Sequence, residues 1–176
     1  MKILVGIAIL LIGMLVGIYI AGFSPIGMVI YEGKQDLTYE DLIKIPQLSI
    51  EGFSRASIDV DEDKIYLFSG CRRLTMITNG FQTKSIKDGL EGVLDFRPTS
   101  HDIMRNILDA FDMKPIMVKV TDMRENAYFS RLFLVQGTRI LNLDSRPSDA
   151  IAIAVRTATP IYVNQTLMEE QGEKVC

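Results

Sequence analysis

Histidine appears once in these 176 residues and cysteine twice, and lysine plus arginine fall short of aspartate plus glutamate, 19 against 22. Each shortage excludes something. With a pI near 5.2, the chain lacks the broad positive field of proteins that grip nucleic acid nonspecifically through its phosphates, although a local pair of arginines can still hold one phosphate in a cleft. Cys71 follows a strand-like run and Cys176 is the last residue. Neither their number nor their spacing suggests a zinc site or a disulfide framework, so Cys71 reads as structural filler. Solenoid repeats and low-complexity tracts are also missing.

Charge is absent altogether from Ile3 to Phe23, a run long enough to cross a bilayer of about 30 Å as a helix. It exceeds the apolar part of a signal peptide and lacks a suitable cleavage site, so residues 1–23 read as an uncleaved transmembrane anchor. Gly13 and Gly17 within it form a small-xxx-small pair, which fits a helix contact or a lipid-facing spacer equally. Lys2 on one side against Lys34 and Lys44 on the other leaves the orientation open. A cellular RNA substrate would put the domain in the cytoplasm. Residues 24–47, with Pro25, Gly27, Gly33 and Pro46, read as a linker with one short helix near Tyr39–Ile43.

From Leu48 the pattern alternates. Ala56, Ile58 and Val60 face one way, Asp61-Glu62-Asp63-Lys64 turns, and Ile65 to Phe68 returns as a hairpin. Asp59, Asp61 and Asp63 do not make a calcium loop, because Lys64 and Gly70 stand where glycine and glutamate are needed. Leu74–Ile77 reads as a strand, about Gln82–Leu90 as a weak helix, and three further strands end at Asp144. A body of residues 48–168 with a tail of residues 169–176 is therefore α+β, a mostly antiparallel sheet with two or three helices.

Two stretches concentrate polar chemistry at helix entrances. Asp144-Ser145-Arg146-Pro147-Ser148-Asp149 leads into Ala150, Ile151, Ala154 and Val155, with Thr159-Pro160 as its stop. Pro147 suits the first turn, Ser145 or Ser148 can cap it, and Asp149 answers the helix dipole. Arg97-Pro98-Thr99-Ser100-His101-Asp102 repeats the device before Ile103–Phe111. Facing one another, the two mouths would form a phosphate site with room for a divalent ion. Facing apart, they are ordinary caps.

Leu143-Asp144-Ser145-Arg146-Pro147-Ser148-Asp149-Ala150-Ile151-Ala152 closely resembles the signature of the bifunctional nuclease domain family. Arg97 to Asp102 resembles its second motif, and Pro160-Ile161-Tyr162-Val163 the strand after the signature helix. The resemblance implies an α+β domain that dimerises and cleaves RNA and DNA. It carries over Arg97, His101, Asp102, Asp144, Arg146, Ser148 and Asp149 as site residues. Ser100 replaces the usual threonine, Ala158 a helix-ending glycine, and Asn79 and Gln82 stand where relatives show glycine and glutamate. The missing acid at Gln82 puts turnover in question.

In a phosphodiesterase, Arg97 and Arg146 would neutralise the phosphate, and Asp144 with Asp149 or Asp102 would hold Mg²⁺ or position water. His101 would be the acid or base. A non-catalytic membrane-tethered binding or regulatory module is the alternative, and a binder of a small anionic ligand shares the same helix-mouth logic.

Overall fold

The computed structural model describes the backbone of residues 29–32 and the whole of residues 45–176. The apolar run of residues 3–23 and the short helix expected near residues 39–43 lie outside the described residues. No described helix is long and apolar enough to cross a membrane.

The described strands are β1 (Val29–Glu32), β2 (Phe53–Asp61), β3 (Lys64–Ser69), β4 (Arg72–Ile77), β5 (Lys114–Arg124), β6 (Ala127–Gln136), β7 (Arg139–Ser145), β8 (Ile161–Asn164) and β9 (Glu173–Lys174). They form one sheet in the order β1-β7-β6-β5-β8-β2-β3-β4-β9. Neighbours run antiparallel except β5 and β8, where Val118 to Val120 lie alongside Ile161 to Val163 in parallel. The helices are α1 (Gly80–Glu91), α2 (Ser100–Ala110), α3 (Pro147–Thr157) and α4 (Gln165–Gln171). The expected α+β class with a mostly antiparallel sheet is therefore what the described residues form, with four helices.

Local chemistry explains the punctuation. Glu125 and Asn126 both take positive φ, 49° and 64°, which a two-residue hairpin loop with right-handed strand twist requires. Asn79 caps α1, accepting from the amides of Phe81 and Gln82 at 3.1 Å each, and Gly92 ends it at φ 67°. The weak helix read over about 82–90 is therefore a full one. Its apolar content is low because much of it faces solvent.

Alternation along β5 separates two faces. Val118 and Val120 are fully buried against the helices, in one core with Leu132, Leu134, Val163, Ile86, Leu108 and Ile151. α3 lies at its centre, with Ala150 through Ala154 all buried. Gly89 brings α1 onto α3, since a Cβ there would stand 2.5 Å from Val155 Cγ2. On the opposite face a smaller cluster joins Leu48, Phe133 and Ile140. Lys119 is buried there beneath the 3-10 turn Pro46–Leu48, its Nζ donating to Gln47 O (2.8 Å) and Ser49 O (2.6 Å). The ammonium also sits 4.9 and 5.2 Å from the ring centroids of Phe53 and Phe133.

Several expectations are corrected. The stretch read as a linker contributes β1, paired with β7 from Val29↔Asn142 to Glu32↔Arg139, as well as the docked 3-10 turn. The stretch read as a tail completes α4 and adds β9 beside β4. Cys71 is no filler: it is disulfide-bonded to Cys176, with Cα atoms 5.2 Å apart. Sequence spacing concealed this pair because 105 positions separate partners that the β4–β9 ladder makes neighbours.

Candidate functional site

The entrances to α2 and α3 face each other. His101, in the first turn of α2, turns Nε2 toward Asp149 Oδ1 at 3.6 Å, and its Nδ1 lies 2.9 Å from Ser85 Oγ on α1. Asp149 is itself clasped by Arg146, Nε to Oδ2 at 2.7 Å and Nη2 to Oδ1 at 3.1 Å. These groups line a cavity of about 380 Å³, together with Phe81, Gln82, Lys84, Asp88 and Asp95. Three helices build it: α1 supplies a wall, and α2 and α3 their first turns.

Electrostatics tune its members differently. Burial pushes the His101 imidazole below its ordinary value; Asp149 opposes that shift and Arg156 reinforces it. Hydrogen bonds to Asp88 (2.6 Å) and Asp95 (3.0 Å) hold Lys84 charged. Arg146 is likewise kept charged by its bonds to Asp149.

Asp102 has another task. Its Oδ2 accepts from Thr99 N (2.8 Å) and Thr99 Oγ1 (2.7 Å), completing the capping box of α2. Its Oδ1 accepts from Arg156 Nε at 2.6 Å, and both side chains are about 95% buried, 4% and 6% exposed. Burial raises the carboxyl pKa, but the Arg156 and Thr99 bonds outweigh it and hold the group at about 2. Arg156 also donates to Ser85 O (2.8 Å), Ser85 Oγ (3.3 Å) and Ala152 O (2.9 Å). One guanidinium thus ties α1, α2 and α3 together behind the cavity.

The remaining expected residues disperse. Arg97 is exposed ahead of α2 and lines neither this cavity nor its neighbour. Asp144 lies within β7, with Oδ1 3.9 Å from Arg131 Nε. Ser148 opens on the neighbouring cavity of about 280 Å³, which shares Gln82 and Arg146 with the first. Neither expected serine caps α3: its N-cap is Arg146 and has no side-chain cap bond, and Ser145 Oγ instead meets Ser130 Oγ at 3.0 Å. The structure therefore brings together His101, Arg146 and Asp149, and leaves Arg97, Asp102, Asp144 and Ser148 outside.

Among the described residues, no group of three His, Cys, Asp or Glu is placed to hold a metal ion. Of the carboxylates expected to converge, only Asp149 reaches the cavity, and Arg146 occupies both of its oxygens. Lys84 pairs with the other two carboxylates of the cavity, Asp88 and Asp95. Gln82 lines both cavities and hydrogen-bonds with Thr78 and Asn79.

A family model described as the bifunctional nuclease domain matches residues 68–175. The chain belongs to the bifunctional nuclease domain family. Among curated relatives it is similar to an uncharacterized protein of Mycobacterium tuberculosis, 32% identical over 82 residues, which is 47% of this chain and 48% of that protein. It is also similar to bifunctional nuclease 1 of Arabidopsis thaliana, 38% identical over 82 residues, and to bifunctional nuclease 2 of the same plant, 37% identical over 82 residues. Each plant match covers 45% of this chain and 25% of the plant protein. The match thus spans about half the length of the mycobacterial relative and a quarter of the plant ones. Within this bifunctional nuclease domain, sequence reasoning missed Ser85, Lys84 and Arg156. Only Arg156 carried a signal, as a cation in the last turn of an otherwise apolar helix.

Proposed function

We propose that this bifunctional nuclease domain hydrolyses phosphodiester bonds of RNA or DNA in the cavity between α1, α2 and α3. The observation that carries the reading is the opposed pair of helix mouths, His101 on one and the Arg146–Asp149 pair on the other. Arg146, forked and always charged, is suited to a phosphate oxygen, and Lys84 adds charge at the rim. Ser85 Oγ already accepts from Arg156 and can accept from Nδ1–H of His101 as well, leaving Nε2 bare toward the cavity. A bare Nε2 on an imidazole with a lowered pKa is a general base for the attacking hydroxyl or water. Asp149 then steadies the imidazolium, Arg146 turns from Asp149 to the phosphate, and as the P–O bond breaks the imidazolium returns its proton to the leaving oxygen.

The apolar run of residues 3–23 supplies a bilayer tether in this reading, and a second copy of the chain its partner. Detergent extraction followed by light scattering checks both. The decisive assay compares the purified protein with His101→Ala and Asp149→Ala on RNA and single-stranded DNA, with and without Mg²⁺. Equal rates in all three proteins would assign cleavage to a contaminant and end the catalytic reading.

A non-catalytic binding or regulatory module is the second reading. It is favoured by Asp88, Asp95 and Asp149 outnumbering Lys84 and Arg146 around the cavity, and by the uncharged amide of Gln82. It expects Asp149→Ala to lower the melting temperature while no phosphodiesterase rate changes.

A further inference from the structure

We propose that Cys71–Cys176 is a permanent oxidised clamp and that the domain therefore works in an oxidising compartment. The chain has two cysteines, and both are spent in this bond. Noncovalent contacts deliver the sulfurs to one another. β9 pairs with β4 through Arg72↔Lys174 and Arg73↔Glu173, and Val175 N donates to Cys71 O at 3.0 Å. Arg73 Nη2 meets Glu173 Oε2 at 2.7 Å, and Arg72 Nη1 donates to Gly172 O at 2.9 Å and Glu169 O at 3.2 Å.

Such pairing gives the two thiols a high effective concentration, so closure is favoured once an oxidant is present. The thiolate of one cysteine attacks a disulfide on an incoming oxidoreductase or small molecule, forming a mixed disulfide. The second thiolate then displaces that carrier. The two protons and two electrons pass to the carrier, whose own S–S bond is broken and which leaves as its dithiol.

Accessibility argues for the compartment. Cys71 and Cys176 are both exposed, so a reducing thiol pool reaches the bond directly, and exchange would keep it open in a glutathione-rich cytosol. A clamp of this kind persists where the surroundings are oxidising. This places the domain opposite to the cytoplasmic side expected from a cellular RNA substrate. The inference stands independently of catalysis, because neither cysteine lines the cavity of His101.

The test uses cells producing the full chain, quenched in acid and labelled with a maleimide-linked polymer before and after reduction. Mobility should stay unchanged before reduction and shift twice afterwards, and a nonreducing peptide map should recover the segments around Cys71 and Cys176 joined within one chain. Thiols that react in quenched cells without reduction overturn the clamp, as does a bond between two chains. Cells whose outer or organelle membrane is opened while the cytosol stays sealed, given a membrane-impermeant phosphine and then an impermeant maleimide, should label the protein. Labelling that appears only once the cytosol is opened overturns the compartment.

Discussion

His101 and Asp102 are consecutive residues in one helical turn, yet they face different environments and should fail differently when changed. If His101 is the base, His101→Ala lowers kcat/KM about 10²- to 10⁴-fold with little change in melting temperature. Because burial lowers its pKa, the rate should climb with pH through a midpoint below the ordinary 6.5 and level off above that midpoint. A midpoint above that value would contradict the buried imidazole. Asp102→Asn leaves the Arg156 guanidinium buried without its counter-charge, at a cost of about 3–5 kcal/mol by urea denaturation. The sign with pH follows from the depressed carboxyl: its contribution is full above the ordinary 3.8 and disappears as pH falls through about 2. Sequence pattern could not separate these two residues, because a capping box and a catalytic acid use the same residue types at the same spacing. What assigns Asp102 to the interior is Arg156, 54 positions away, and no local reading reaches that far.

Helices set the cavity's width, and two small residues set the helices. Gly89→Ala would drive a Cβ into Val155 and the Arg156 guanidinium, so α1 must move off α3. The expected loss is about 1–3 kcal/mol, with weaker substrate binding as the wall shifts. Ala158 ends α3 in the left-handed region at φ 53°, where its methyl is strained. Ala158→Gly should gain about 0.5–1 kcal/mol, read as a rise in the denaturant midpoint at unchanged m-value. Both mouths and the β2–β3 hairpin were legible because alternation, Arg-Pro entrances and turn residues are local signals. α1 was read short because few of its residues are apolar, and its cap residue Asn79 lies three positions ahead of the stretch that reads as helical. β1 and β9 were missed because edge strands of four and two residues are too short to show a period, and their partners, β7 and β4, lie far along the chain.

At the scale of the whole molecule, the disulfide closes a loop across most of the matched family domain. Replacing both cysteines by serine should cost about 2–4 kcal/mol and lower the melting temperature without altering any rate at the His101 cavity. Reduction of the unaltered protein should reproduce that shift, and the serine variant should ignore the reductant. The sheet also has a second fastening, on the face away from the helices. Lys119 reaches from β5, mid-sheet, to the carbonyls of Gln47 and Ser49. Tension applied to the chain ahead of β1 is met first by the β1–β7 ladder, and the Lys119 grip on the Gln47 and Ser49 carbonyls stands as a second stop before β2. Pulled from that end, the sheet would take the load as shear between its strands, and its helical side would be spared the strain.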